Sequence, residues 1–405
     1  MKFIYKLLSL SLAIACLSGC SAANTEIASS SAATATVTPT TDSTEVPASN
    51  NVFTSAGDGL YVTTDSGIYE LQTVFPDSAN IFYTDANTKE RIFLCANPNC
   101  THADESCPSY IATPSAMFPP MLLRVGDQLL VVFTETTDSS NPHGMLMNMD
   151  GSNRRTVFEL ASNQYMQGGF CTSGNDLYFD LYEIDDSGNV TYQLWDVSFE
   201  NGTSEKVMDL GSDSDHYSLC DGVNNELCFN HLSSDGISYR MYDPQSKTMS
   251  DPFFVDSSSS GNSMIQDGYL FVLDEQASSV QRIRLSDKEQ ASASFTVKEG
   301  FGAPSMRYLF DGNLMITEAQ TLAADIPTDG SYDMCSYILD FDTRNCTEFT
   351  LQTPYNNRPV YVLTTIGDTC YVATDYKTYT PTSVSEDGTV SNFDYVANIY
   401  AFITK

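Results

Sequence analysis

Beyond residue 51 the apolar positions come in short runs between polar turns, and one such unit recurs seven times. Each copy is a turn of Gly, Asp or Asn followed by an apolar strand. The copies begin at Gly57, Gly126, Gly174, Asn224, Asp267, Asp311 and Gly367. The apolar residue that follows each turn is Leu60, Leu129, Leu177, Leu227, Leu270, Leu314 or Cys370, so successive copies lie 43 to 69 residues apart. Periods of about 40 to 50 residues with strand-rich content are the sequence signature of propeller blades. The run Leu129 to Phe133 is apolar at every position, as suits a strand whose sheet is covered on both faces. Pairs such as Ser66-Gly67, Asp150-Gly151 and Asp235-Gly236 supply the turn chemistry of the hairpins that follow. Helical periodicity is confined to one short stretch, Glu318 to Ile326, which predicts a brief helix.

The pattern therefore predicts an all-β fold, a β-propeller of about seven four-stranded blades over residues 51–405. Six or eight blades are the neighbouring counts, and a tandem of β-sandwiches is the competing architecture. A ring is favoured physically because each blade needs a neighbour on both faces and closure hides the sheet edges. The apolar strand at Asn398 to Thr404 is expected to complete the last blade.

The chain before residue 51 reads differently. Lys2 and Lys6 precede an apolar run, Leu7 to Leu17, too short to span a bilayer and suited to a signal peptide. It ends in Leu17-Ser18-Gly19-Cys20, which resembles the bacterial lipobox. That resemblance implies cleavage after residue 19 and lipidation of the Cys20 thiol, which would hold the chain to the outer face of the cell membrane by acyl chains such as palmitate. Residues 20–50 are rich in Ser, Thr and Ala, cannot bury enough apolar surface to offset ordering entropy, and read as a disordered tether.

The strand and turn Met145-Leu146-Met147-Asn148-Met149-Asp150-Gly151-Ser152-Asn153 resembles the hairpin of TolB-like propellers. Lipobox, tether, repeats and the cysteine run from Leu94-Cys95 to Cys107 together resemble a group of uncharacterised Gram-positive propeller lipoproteins. The likeness extends over nearly all the chain after the leader. It implies a fold and a location, and no activity.

Charge narrows the partners. The formal net charge is −33, with 19 basic and 52 acidic residues. A surface this acidic repels phosphate backbones and anionic headgroups, so no nucleic-acid partner is expected and the membrane is met through the lipid alone. Of 11 cysteines, Cys16 and Cys20 belong to the leader and box; the other nine are an odd number, so disulfides alone cannot use them all. Cys335 and Cys346 flank a strand and its turn and can bridge a hairpin, whereas Cys171, Cys220, Cys228 and Cys370 read as packed thiols.

The longest interval between copies, from Leu60 to Leu129, contains a cysteine-rich insertion at residues 95–110. Its donors are Cys95, Cys100, His102 and Cys107. Three thiols and an imidazole can wrap one tetrahedral Zn²⁺ as a closed, structural Cys₃His site. The spacing departs from the common C-x2-C zinc pattern, and a disulfide among the three thiols or a redox-active thiol are the competing readings. A second feature is the acid in or beside five of the repeat turns: Asp58, Asp127, Asp267, Asp311 and Asp368 would line one mouth of a propeller channel and offer a rim for a cation or basic ligand. The plainer reading is that Asp is a good turn former.

No nucleophile elbow, zinc-protease, P-loop or dinucleotide signature occurs. The sequence thus points to an extracytoplasmic lipoprotein that binds a protein or a soluble ligand, or acts as a scaffold. The alternative is an extracellular hydrolase or lyase acting on glycans through loop carboxylates.

Overall fold

A computed structural model describes residues 53–56, 59–74, 78–113, 119–137, 140–256, 262–320, 334–349, 360–367, 369–374, 377–379, 393–395 and 399–404. Among these residues the secondary structure is strand and turn, with no helix. Apart from Phe53–Ser55 and the separate ladder of Lys377–Tyr379 with Phe393–Tyr395, the described strands pair antiparallel, nearly all with their neighbours in chain order. They form up-and-down meanders spanning 61–112, 121–159, 164–212, 215–256, 263–294, 301–349 and, with three strands, 360–404. We number these meanders 1 to 7. Meanders 1, 2, 5 and 6 are separate sheets of four or five strands. Meanders 3 and 4 are fused into one ten-stranded sheet through the short ladder Gly211↔His216 and Ser212↔Asp215. The architecture is a propeller.

The repeat turns explain themselves in backbone terms. Gly126, Gly174, Asn224, Asp267, Asp311 and Gly367 all take φ between 52° and 61°, one in each repeat from the second to the seventh. Only Gly, Asn and Asp visit that left-handed region at low cost, which is why the turns draw on those three residues. The strand after each turn is buried: Leu129, Leu177, Leu227, Leu270, Leu314 and Cys370 have no accessible surface.

The continuously apolar strands do cover two faces. In Gln128–Phe133, Leu129 and Val131 pack with Val62, Ile81 and Ile111 of meander 1. Leu130 and Val132 point the other way, against Phe170, Leu177 and Phe179 of meander 3. Comparable apolar seams lie between meanders 3 and 4 (Leu194, Leu210, Leu219, Phe229), 4 and 5 (Tyr239, Leu270, Ile283), and 5 and 6 (Phe271, Leu273, Met306, Leu314). Each buried Leu or Phe contributes about 1.5–3 kcal/mol. The last meander meets the first: Ile68 packs with Tyr371, the Thr63 and Thr364 hydroxyls hydrogen-bond at 2.7 Å, and Lys89 Nζ donates to Tyr371 Oη at 2.6 Å.

Three details differ from or refine the sequence reading. Glu318 to Gln320, assigned above to a short helix, end the strand Leu314–Gln320, where Glu318 stands opposite Cys335 and Ala319 opposite Met334; ladder pairing overrides local helical preference. Residues 321–326 lie outside the described residues. The strand Ile399–Thr404 completes the last meander by pairing with Thr369–Thr374, as expected. The strand Phe53–Ser55, by contrast, does not join the end of the chain: it adds to Gln164–Ser173 of meander 3, with Phe53 buried and its N–H bonded to Asn224 O of meander 4.

Candidate metal centre

The fourth strand of meander 1 is cut in two. Arg91–Phe93 and Tyr110–Ala112 both pair with Ser78–Asp85, and residues 94–109 leave the sheet between them. Ile81 bridges the cut, since its carbonyl accepts from Leu94 N at 2.9 Å and its N–H donates to Ser109 O at 2.8 Å. The sheet therefore clamps both ends of the insertion to one residue. Cys95 and Cys107 lie next to those ends and are brought together by ordinary backbone pairing.

Turns supply the other two donors. Cys100 N–H donates to Asn97 O at 3.2 Å, and Asn99 N–H donates to the Asn97 side-chain oxygen at 3.1 Å. His102 follows in a left-handed conformation (φ 55°) and its N–H points at Cys100 Sγ, 3.4 Å away. Asp104 accepts from Ser106 N and Oγ, which holds its carboxyl below the ordinary range and closes the turn toward Cys107. The Sγ atoms of Cys95, Cys100 and Cys107 and a ring nitrogen of His102 all lie within 4.8 Å of one another. A tetrahedral ion with Zn–S bonds near 2.3 Å needs sulfurs about 3.8 Å apart, so the donor set fits a metal ion at its centre.

The surroundings favour a charged sulfur. Burial pushes the Cys107 thiol up, yet hydrogen bonds from Ser109 and His102, with a smaller one from Cys100, outweigh it and bring the thiol down to about 6. Cys95 moves the other way, to about 11, through burial first and then through its hydrogen bonds to Cys107 and Cys100. The two neighbouring thiols are thus pushed in opposite directions, and a divalent ion would favour the ionised form of all three. Ser109 Oγ lies 3.1 Å from Cys107 Sγ and 2.9 Å from Asn80 Oδ1, tying that sulfur to the sheet. The His102 ring lies 3.2 Å from Cys107 Sγ through Nδ1 and stacks on Phe93, with centroids 4.0 Å apart. Phe93 in turn packs on Phe82, and the Arg91 guanidinium covers Phe82 at 3.7 Å. Ser109, Asn80 and Phe93 were invisible as site residues in the sequence; only the place of Ser109 two residues beyond Cys107 was a signal.

In this knuckle of residues 95–107 the three cysteines are free thiols, as are Cys335 and Cys346. A Cys335–Cys346 bridge, open to a hairpin in sequence terms, is not formed: the register sets Cys346 opposite Leu339, while Cys335 faces Glu318 on the other side. Cys171, Cys228 and Cys370 are buried, and Cys220 is half-buried. The remaining histidines sit on separate strands, each stacked on an aromatic ring: His143 on Phe133, His216 on Tyr192, and His231 on Tyr217. His231 also meets Asp215 at 2.7 Å.

Of the five repeat-turn acids, Asp127, Asp267 and Asp311 are exposed in their turns. Asp127 lies 3.5 Å from Arg124, and Asp267 accepts from Tyr308 Oη at 2.6 Å. Asp58, Asp368 and the lipobox Cys20 lie outside the described residues.

No protein-family model matches the chain, and no curated protein is similar to it in sequence. Among solved structures, a puromycin hydrolase is similar with 10% identity and a TM-score of 0.49, over 79% of this chain and 50% of that one. The chain thus spans half the length of that hydrolase. TolB from Acinetobacter baumannii is similar with 9% identity and a TM-score of 0.34, over 76% and 75% of the two chains. An oligogalacturonate lyase in complex with manganese is similar with 11% identity and a TM-score of 0.32, over 80% and 72%.

Proposed function

We propose that this chain is an extracytoplasmic, lipid-anchored propeller of seven blades that binds a protein or soluble ligand, or serves as a scaffold, and that it carries a structural zinc ion on its first blade. The convergence of Cys95, Cys100, His102 and Cys107 on one point carries the metal assignment. A disulfide loop would need two sulfurs and would leave the third thiol and the imidazole without reason to meet them. Three sulfur donors and one nitrogen select a soft, tetrahedral ion, and four protein ligands leave no open position for substrate, so the ion is structural. The address rests on the basic start, the apolar run, the lipobox Cys20 and the tether, all read from the sequence, and on the resemblance to Gram-positive propeller lipoproteins. The rim at Asp58, Asp127, Asp267, Asp311 and Asp368 is the proposed place for a cationic group of the ligand.

Native mass spectrometry of the full chain, purified in mild detergent, tests the metal. One zinc retained per chain and lost from Cys100→Ser supports the site; a metal-free chain that gains free knuckle thiols only on reduction makes it a disulfide loop. The anchor has a separate test. Cys20→Ala should move the protein from the membrane fraction to the medium, and unchanged retention would sink the lipid assignment.

A further inference from the structure

The insertion touches more than its own sheet. Arg154, in the hairpin between the third and fourth strands of meander 2, reaches across the seam to it. Its Nη1 donates to Tyr110 O at 2.6 Å, its Nη2 donates to Pro108 O, and its Nε donates to Gly151 O at 3.1 Å. Pro108 and Tyr110 are the residues that follow Cys107 and Ser109. The same hairpin presses its backbone on the insertion: a Cβ placed on Gly151 would lie 2.4 Å from Pro108 O. Gly151 also holds φ at 80°, so two independent constraints exclude a side chain there. On the far side of the contact, Cys107 Sγ, Ser109 Oγ and Asn80 form a chain of hydrogen bonds into the sheet.

Residues 108–110 are held on one side by the sheet, where Ile81 N–H donates to Ser109 O and Tyr110 pairs with Asn80. On the other side they are flanked by Cys107, whose carbonyl accepts from Tyr110 N at 3.1 Å. We infer that the ion in the knuckle acts as a clasp between the first two blades. By fixing Cys107 it presents the Pro108 and Tyr110 carbonyls to Arg154, and metal loading is thereby felt in the second blade. The inference rests on the zinc reading above and adds a consequence that zinc binding alone does not require. The apolar seam of Val62, Ile81, Leu122, Leu129 and Met147 holds the sheets together in either state. Release of the ion should therefore loosen the polar outer part of the seam and leave the inner part closed.

Hydrogen–deuterium exchange on the full chain, zinc-loaded and after chelation, reads this directly. Chelation should speed exchange at least tenfold in 94–112 and also in the hairpin segment 143–159, while 164–256 stays unchanged. Arg154→Ala should keep its zinc by native mass spectrometry, yet make exchange in 143–159 fast and indifferent to chelation. The chelation arm uses the unaltered chain, so it stands even if the variant folds poorly. Zinc bound and removed with no change in 143–159 overturns the clasp and leaves the metal site intact. A chain that takes up no zinc overturns the metal reading, and the clasp with it.

Discussion

Among the described residues, two sheets of this propeller have a broken outer strand, and they mend it in different ways. In meander 4 the halves Thr248–Met249 and Phe254–Asp256 both pair with Gly236–Asp243, and only residues 250–253 leave the sheet. That gap closes locally. Ser250 N–H donates to Met241 O at 2.8 Å, Ser250 Oγ accepts from Met241 N at 3.0 Å, and Phe253 N–H donates to Tyr239 O at 3.0 Å. In meander 1 the gap spans 94–109, and Ile81 makes the equivalent bonds to its two ends. The longer loop carries more conformational entropy and few large apolar side chains, so its closed ends do not fix its middle. Thiols, imidazole and Arg154 do that. A short interruption can be repaired by the backbone, while a long one needs a cross-link.

The comparison breaks most clearly where the cross-link is removed. Cys107→Ala should abolish zinc retention and cost about 4 kcal/mol in chemical unfolding, the scale of losing a structural metal. Next in size, Met241→Ala at the short gap should cost about 3 kcal/mol through the cavity it leaves, with zinc content unchanged. If it also lost zinc, the two repairs would not be independent.

The third effect is a pH dependence at the seam between meanders 3 and 4. Asp180 is buried and accepts from Gly169 N at 3.2 Å and Leu219 N at 3.0 Å. Burial outweighs those bonds and raises its carboxyl to about 7 from the ordinary 3.8. The folded state thus holds the proton more tightly than the unfolded chain. The resulting stability is fully present below about pH 4 and is lost progressively as pH rises through 7. Asp180→Asn should flatten that slope in unfolding midpoints measured from pH 4 to 8, whatever the zinc content. The smallest effect belongs to Ser250→Ala, which removes a side-chain acceptor and should cost about 1 kcal/mol without altering the fold.

These elements were legible to different degrees. Gly126, Gly174 and Asn224 announced the turns because few residues tolerate their backbone angles, and Leu129 to Val132 announced a doubly covered strand because nothing polar interrupts them. The four metal donors were visible through their chemistry and crowding. The cut in the outer strand was not, since Arg91–Phe93 and Tyr110–Ala112 are short and half exposed, and their pairing with one strand is a tertiary fact. Arg154 was hidden for the same reason: its partners are backbone carbonyls, which leave no mark in a sequence. The helical reading of Glu318 to Gln320 failed because local preference was weighed without the neighbouring strand.

The placement of Phe53–Ser55 fixes an order of assembly. These residues leave the ribosome before any of the repeats, yet their partner Gln164–Ser173 emerges only after two meanders have been made. This strand must wait for a later stretch to arrive before it can pair. The circle spans a longer separation still, because Thr63 and Thr364, which hydrogen-bond where it closes, are 301 positions apart. Synthesis from one end therefore cannot finish this ring blade by blade, and folding should be slow and late, as it is for chains dominated by distant contacts.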